Sequence, residues 1–174
     1  MKIAIRQQDC NKYLCETFLR RKWEKLRAIV FLDPFGMQVP WNTIELLAET
    51  RAVEVFVNFP VGMAIQRLLR RDGRFTSRQR AKLDQYFGSP EWFPVVYQED
   101  HGLFGKQLTK ASDSNEALTK WYRTRLAKIF GYASSARLIR TSANHPLYYL
   151  IHAGANPTGA KIAEHILRQG EATK

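Results

Sequence analysis

A short apolar run leads into a tight turn at Ile29-Val30-Phe31-Leu32-Asp33-Pro34-Phe35-Gly36. Consecutive apolar residues of this kind are typical of a strand that is buried on both faces, as in a parallel sheet covered by helices. Pro34 ends the strand because it lacks a backbone N–H, and Gly36 permits a sharp change of direction. We therefore expect the Asp33 carboxylate at the carboxyl end of a central strand, where open α/β sheets bind ligands. The alternative is that Asp33 only caps the turn.

Strands and helices alternate through the first third of the chain. Apolar and β-branched runs predict three strands, over residues 2–6, 28–33 and 53–57. Apolar residues recur at helical spacing in the two segments between them, 11–26 and 41–50. This alternation predicts an α/β fold with three parallel strands joined by right-handed helical crossovers.

The sheet is predicted to end in a C-terminal antiparallel hairpin. Residues 136–140 and 147–152 both have strand character, and the short turn between them makes the two strands antiparallel. A last helix is predicted over 158–169. We treat residues 1–174 as one domain, interrupted at about 61–131 by a helical and aromatic insertion. The insertion carries predicted helices over 62–72, 76–86 and 114–131.

The chain is strongly basic, with a net charge of +11 and a pI near 9.9. An excess of one sign favours an anionic partner, most commonly nucleic acid. Much of the charge lies within the insertion, at Arg67, Arg70, Arg71, Arg74, Arg78, Arg80 and Lys82. The alternative is that these side chains form ordinary solvated helix faces.

Composition and motifs exclude several other classes. No apolar stretch approaches the ~20 residues of a membrane span, and the N terminus lacks the apolar core of a signal peptide. Only two cysteines are present, so we expect free thiols in a cytoplasmic protein. The histidines and cysteines show no metal-ligand spacing, and neither a nucleophile elbow nor a phosphate-binding loop occurs.

Several segments resemble one family in the expected order. The first are Phe31-Leu32-Asp33-Pro34-Phe35-Gly36-Met37-Gln38-Val39-Pro40-Trp41 and Val55-Phe56-Val57-Asn58-Phe59-Pro60. They are followed by Gly62-Met63, Arg67-Leu68-Leu69-Arg70, Gly88-Ser89-Pro90-Glu91-Trp92, Pro146-Leu147-Tyr148-Tyr149-Leu150 and Asn156-Pro157. Together they make the chain similar to the three-Cys-motif partner protein family. The resemblance implies a Rossmann-like class I methyltransferase fold, S-adenosylmethionine as cofactor, and a separate three-cysteine protein as partner.

The resemblance and the residue chemistry together suggest a site. The turn of Asp33, Pro34 and Phe35 occupies the place of the Asp-Pro-Pro-aromatic loop of amino-methylating enzymes, although Phe35 replaces the second proline. Asp33 is expected to accept a hydrogen bond from a target amine, and Phe35 either stacks on a base or fills the core. Asp9 is expected to contact the adenosyl group or to cap a helix. Asn58 is expected to line the same cleft or to form a turn.

The chain also departs from a complete methyltransferase pattern. No strand followed by a glycine-rich turn and an acidic ribose-binding residue precedes the predicted strand 2–6. We therefore expect this chain to correspond to the C-terminal portion of such a fold, with an exposed sheet edge and little activity by itself. The alternative is a non-catalytic scaffold or nucleic-acid-binding subunit. In either case the basic helices are expected to hold phosphate.

Overall fold

A computed structural model describes residues 3–102 and 105–169, which form a mixed α/β structure. The strands are β1 (Ala28–Leu32), β2 (Val53–Phe59), β3 (Tyr97–Gly102), β4 (Gly105–Lys110), β5 (Tyr132–Ala133), β6 (Arg137–Arg140) and β7 (Pro146–Gly154). The helices are α1 (Cys10–Tyr13), α2 (Trp41–Glu49), α3 (Gln66–Leu68), α4 (Ser77–Phe87), α5 (Trp92–Val96), α6 (Ser114–Phe130) and α7 (Pro157–Gln169). Two π-helical turns occur at Leu14–Phe18 and Val61–Ile65. Within the described residues, no helix combines the length and the apolarity needed to cross a bilayer.

The main sheet is mixed rather than mostly parallel. β1 and β2 are parallel, whereas β7 is antiparallel to β2 and also pairs with β5 and β6. The predicted strands 28–33 and 53–57 and the predicted C-terminal hairpin are confirmed. The predicted strand 2–6 is wrong over its described residues 3–6, which adopt no strand. Its alternating pattern buries nothing, since Ile3 and Ile5 are exposed, and an amphipathic pattern forms a strand only where a sheet edge receives it.

One face of this sheet holds the core. The side chains of Val53, Val55, Val57 and Phe59 are buried because alternate residues of β2 point to this face. Helices α2 and α6 cover it, and the Tyr122 ring of α6 stacks on Phe59 with centroids 4.4 Å apart. The hydrophobic burial that stabilises the fold is therefore concentrated between β2, β7 and these two helices.

The other face is covered only in part. Helix α7 packs against β7, and at Gly159 it lies so close to β2 that a Cβ atom would overlap the Glu54 carboxylate. At β1, however, Ile29 is 68% exposed and Phe31 is 59% exposed. The prediction that this strand is buried on both faces is therefore wrong, because β1 is an edge strand that α7 does not cover. The expectation that Asp33 follows a central strand is wrong for the same reason, since β1 lies at the edge of the sheet.

Most predicted helices occur, with two corrections. Helices α2, α4, α6 and α7 match the predicted segments closely. The predicted helix 11–26 ends after the π-helical turn at Phe18. The predicted helix 62–72 is a π-helical turn followed by the short α3. The turn begins where Gly62 approaches the backbone of Pro146 so closely that a Cβ atom would overlap its carbonyl oxygen.

The predicted insertion, residues 61–131, also contains an antiparallel hairpin of β3 and β4 that the sequence did not predict. Two of its aromatic residues face the core rather than the surface. Trp92 and Tyr97 are buried, and both pack edge to face against Phe75. They pin this segment to the core, which is the more ordinary role of such residues.

Candidate functional site

Two polar side chains meet where the parallel strands end. Asp33 directly follows β1, and Asn58 lies near the end of β2. The parallel register places the ends of β1 and β2 side by side, and Asn58 Nδ2 donates a hydrogen bond to Asp33 Oδ1 at 2.6 Å. The two residues that the sequence singled out after consecutive strands are therefore in direct contact.

The two partners of this pair differ in exposure. Asp33 is exposed, whereas Asn58 is only 4% exposed. The Asn58 amide oxygen has no hydrogen-bond partner in the described part of the chain, and an unsatisfied buried acceptor costs about 1–3 kcal/mol. The amide nitrogen, in contrast, makes a short hydrogen bond that suits an ionised carboxylate. Asn58 therefore orients the Asp33 carboxylate at a local energetic cost.

The turn after Asp33 projects an aromatic ring outward. Gly36 has φ +82°, a backbone conformation that glycine adopts without steric cost, and it lies next to Ala64 of the second π-helical turn. Phe35 is 92% exposed, so the alternative that it fills the core is wrong. Its ring and Pro34 both border the cavity described next.

A cavity of about 590 Å³ opens beside the Asp33–Asn58 pair. This volume is within the range of small-molecule and cofactor sites. Four parts of the chain form its wall: the turn after β1, the end of β2, the π-helical turn with the following helices, and the start of β7. The lining residues are Asp33, Pro34, Phe35, Gly36, Met37, Gln38, Asn58, Pro60, Ala64, Arg67, Leu68, Lys82, Leu147 and Tyr148. Leu147 and Tyr148 were not predicted as site residues, because no local pattern reveals that β7 inserts beside β2.

Two cations border the same cavity. Arg67 of α3 and Lys82 of α4 line it, and both side chains are exposed. They lie in different helices, so the tertiary fold rather than a single helix face brings them together. The cavity therefore combines an acidic residue, an exposed aromatic ring and two basic residues.

The remaining basic residues of the predicted set lie elsewhere. Arg70 and Arg74 lie 3.8 and 4.0 Å from Asp72. Arg80 lies 3.5 Å from Asp84, and its guanidinium lies over the Phe93 ring at 4.4 Å. Two further exposed residues do not line the cavity, Arg71 and Arg78. The seven residues thus do not form one continuous surface around the cavity.

Asp9 does not line the cavity. Its carboxylate accepts a hydrogen bond from the Lys12 backbone N–H at 2.8 Å and caps α1. The neighbouring Asn11 donates from Nδ2 to the Gln38 carbonyl at 2.8 Å, which ties α1 to the turn after β1. Asp9 therefore caps helix α1, which is the second of the two roles expected for it.

The lining residues lack part of the pattern that the resemblance implies for S-adenosylmethionine, which is an acidic residue for the ribose and a glycine-rich turn that permits close backbone approach. Asn58 is at the cavity but Asp9 is not, and the carboxylate that does line the cavity, Asp33, accepts the Asn58 hydrogen bond. Gly36 is the single glycine among the lining residues, in a turn without a second glycine. In the described part of the chain, the cavity wall thus supplies a polar pair and a ring rather than a cofactor cradle.

The clearest pKa shifts occur outside the cavity. Burial, with a contribution from Asp72, raises the pKa of Tyr97 to about 12. Burial also raises the pKa of Tyr86, and the nearby Tyr122 adds to that increase. Burial lowers the pKa of Lys110, with Arg71 as the second cause. These shifts come from packing, so they do not by themselves indicate a second site.

A second polar pair lies on the partly covered sheet face. His152 is 1% exposed, and its Nε2 atom lies 2.9 Å from Glu54 Oε2. The pair joins residues 98 positions apart, so no local pattern indicated it beyond a charged residue inside an apolar strand. Across residues 3–102 and 105–169, no group of three potential metal ligands comes together.

Comparisons with known proteins found no match for this chain. No protein-family model matches the chain, and neither the curated proteins nor the solved structures that were searched include a match.

Proposed function

We propose that this chain is a nucleic-acid-binding domain of methyltransferase-like, Rossmann-like type that takes one nucleotide into the cavity beside Asp33. The observation that carries the proposal is the combination on one cavity wall of the Asp33–Asn58 pair, the exposed Phe35 ring, and the cations Arg67 and Lys82. The net charge of +11 supports an anionic polymer as the partner.

Each lining group has a matching part in a nucleotide. A base stacks on Phe35, since every base offers a π-face. Asp33 accepts a hydrogen bond from an amine on the edge of the base, and Asn58 keeps the carboxylate in position for that contact. Arg67 and Lys82 hold the adjacent phosphates, which offsets the repulsion between phosphate and the Asp33 carboxylate.

A second candidate function is methyl transfer to the bound amine in the cytoplasm, together with a three-cysteine partner protein. Asp33 favours it, because a carboxylate at a strand end can orient an amine for reaction. The absence of Asp9 from the cavity weighs against cofactor binding by these residues alone, so we place binding first. Calorimetric titration with S-adenosylmethionine separates the two candidates. Heat of binding favours methyl transfer, whereas the absence of any heat of binding favours a binding domain.

The main test measures binding of a fluorescein-labelled single-stranded oligonucleotide by anisotropy. Arg67→Glu and Lys82→Glu are each expected to weaken binding about tenfold and to reduce its salt dependence by roughly one contact. Phe35→Ala is expected to lose about 1–3 kcal/mol of stacking with little change in salt dependence. Lys161→Glu is the matched control, because Lys161 is exposed on α7, borders a different depression and carries the same charge change.

The outcome depends on the contrast between variants. If Lys161→Glu weakens binding as much as Arg67→Glu, the attraction is only the overall charge and the cavity proposal is wrong. If Phe35→Ala leaves affinity unchanged while the cation variants lose it, the chain binds phosphate at the cavity without taking in a base.

A further inference from the structure

The outer edge of β1 is open to pairing. Among the described strands only β2 pairs with β1. The Ala28 N–H donates toward β2, to the Ala52 carbonyl at 3.1 Å. Successive residues of a strand direct their backbone groups to opposite edges, so those of Ile29 and Phe31 point away from β2. β1 contains no charge, proline or bulge that would block another strand.

The exposed side chains of this strand are apolar. Ile29 and Phe31 point to the same face, and both are more than half exposed. Phe31 lies beside the Phe56 ring of β2, with centroids 6.5 Å apart, so the apolar surface continues into the sheet. An open strand edge next to an apolar patch is the usual site of strand addition by another chain.

The charges at the two ends of β1 indicate which chain adds its strand. Arg27 immediately precedes the strand and Asp33 immediately follows it, and both are exposed. Among the described residues the Arg27 guanidinium donates only to the carbonyl oxygens of Trp23 and Leu26. The side chains of the odd-numbered residues from Arg27 to Asp33 point to one face of the sheet, and their backbone groups point to its outer edge. This face of the strand therefore has a positive end, an apolar middle and a negative end.

Such a strand is complementary to itself when two copies run antiparallel. With Val30 at the centre, Ile29 lies opposite Phe31 of the second copy, and Arg27 lies opposite Asp33 of the second copy. The outward backbone groups of one strand then face the outward groups of the other, so each outward N–H meets a carbonyl oxygen across the interface. A shift of the register by one pairing step places Arg27 opposite Phe31 and leaves the charges unmatched.

We propose that this chain forms a two-fold symmetric dimer through antiparallel pairing of β1 with β1 of a second copy, centred on Val30. The interface is isologous, as a closed dimer requires. It places Arg27 of each copy beside Asp33 of the other, at the mouth of the cavity. The second copy thus adds a cation to the site. The dimer does not rest on the proposed nucleotide binding, because its formation is measured without any ligand.

The first experiment reverses the end charges and measures mass by sedimentation equilibrium over a range of protein concentrations. Arg27→Asp is expected to weaken dimerisation about tenfold or more, because it places two carboxylates opposite each other at both ends of the interface. Asp33→Arg is expected to weaken it similarly. The double variant R27D/D33R restores opposite charges and is expected to dimerise within about threefold of the original chain.

The second experiment tests the register by oxidative cross-linking, in a background where Cys10 and Cys15, both free, are replaced by serine. Val30→Cys is expected to form a disulfide-linked dimer, because Val30 faces itself across the axis with Cα atoms about 4.5 Å apart. Ile29→Cys is the matched control. It is more exposed than Val30, but its Cα atoms lie about 8 Å apart across the interface, beyond disulfide reach.

Each outcome of these two experiments either supports the dimer or overturns it. Restoration by the double charge swap, or cross-linking at residue 30 without cross-linking at residue 29, supports the dimer. The proposal is overturned if the unaltered chain is monomeric at every concentration, or if R27D and D33R dimerise as well as the original chain. Cross-linking at residue 29 but not at 30 overturns the register, and a series of larger species overturns the closed two-fold pairing. Circular dichroism establishes that each variant is folded, and the charge variants keep the test decisive if Val30→Cys does not fold.

Discussion

Asn58 is a residue whose chemistry suits a site better than a core. Its side chain is buried, yet its amide oxygen has no hydrogen-bond partner within the described residues. Its amide nitrogen orients Asp33, an exposed carboxylate that water could solvate without help. Packing alone would favour an apolar residue at this position. The amide is therefore better explained as a positioning group for Asp33 than as a source of stability.

Asn58→Leu tests this explanation. The change removes an unsatisfied buried oxygen together with one hydrogen bond, so we expect the free energy of unfolding to stay within about 1 kcal/mol of the original value. Oligonucleotide binding is expected to weaken about threefold or more, because Asp33 loses its fixed orientation. Urea unfolding and anisotropy measure the two effects. A loss of stability well above 2 kcal/mol with unchanged binding would assign Asn58 a structural role.

At this scale the sequence predicted the centre of the candidate site but not its wall. Asp33 and Asn58 could be paired in advance, because polar residues that end neighbouring parallel strands meet at one edge. Tyr148 could not be predicted, since its place depends on which strands β7 joins. Asp9 was assigned to the cavity only through a strand at residues 2–6 that is not present in its described part.

Among the elements, α4 has well-defined boundaries at both ends. Thr76 and Gln79 form a reciprocal capping box at its start, with hydrogen bonds of 3.2 and 3.0 Å. At its end Gly88 has φ +69° and lies against the Trp41 ring, where a Cβ atom would overlap the indole. The position of α4 matters for the cavity, because this helix carries Lys82.

Gly88→Ala is expected to destabilise the fold by about 2–4 kcal/mol, from a left-handed backbone conformation and from overpacking against Trp41. Gly131→Ala is the control that separates these causes. Gly131 also has positive φ, but the nearest atom to an added Cβ would be 4.0 Å away, so only the backbone cost remains. Urea unfolding of both variants measures the difference. A loss at Gly88 no larger than about 1–2 kcal/mol, the cost of a left-handed backbone, would mean that contact with Trp41 contributes nothing.

The elements that the sequence predicted well are those with strong periodicity and clear ends. α2 begins after Pro40, and α6 and α7 carry long amphipathic patterns. The elements that it missed depend on partners. The β3–β4 hairpin pairs polar residues such as Gln98 with Thr109, a pattern without an apolar face that would predict a strand. The segment after Phe18 has helical spacing but does not continue as a helix.

The molecule as a whole is stabilised by a large aromatic core. Tyr86 and Tyr122 are stacked 6.1 Å apart with almost parallel rings, and Phe59 lies 4.4 Å from Tyr122. Burial raises the pKa of both tyrosines, and it raises that of Tyr97 to about 12. The folded state therefore holds phenolic protons that the unfolded chain releases near pH 10.

This difference predicts a fall in stability at alkaline pH. The folded state binds more protons than the unfolded state above about pH 10, so the free energy of unfolding decreases as the pH rises toward 12 and is unaffected by these groups below 10. Urea unfolding at about pH 8, 10 and 11 measures the fall. Tyr97→Phe is expected to reduce its slope, although it also removes the hydrogen bond to the Arg70 carbonyl. A stability that does not change between pH 8 and 11 would contradict this origin.

At the scale of the whole fold, composition and element order predicted an α/β structure with three parallel strands, of which two are present as a parallel pair, and a C-terminal hairpin. They did not predict that one face of β1 is exposed. A continuous apolar run has the same appearance whether its outer face meets a helix or nothing. The charge total predicts an anionic class of partner and no position for it, and only the tertiary fold shows that Arg67 and Lys82 are the members of the basic set beside the cavity.

The position of β7 has a consequence for biosynthesis. This strand is the last of those in the described residues, yet it lies inside the sheet between β2 and the short strands β5 and β6. The ribosome therefore makes β1 and β2 long before the strand that completes their hydrogen bonding, and the nascent chain must carry an unfinished sheet edge until residue 154 has emerged. A stop codon between α6 and β7 would therefore remove the centre of the sheet rather than its margin, and chaperone dependence during translation is the expected cost.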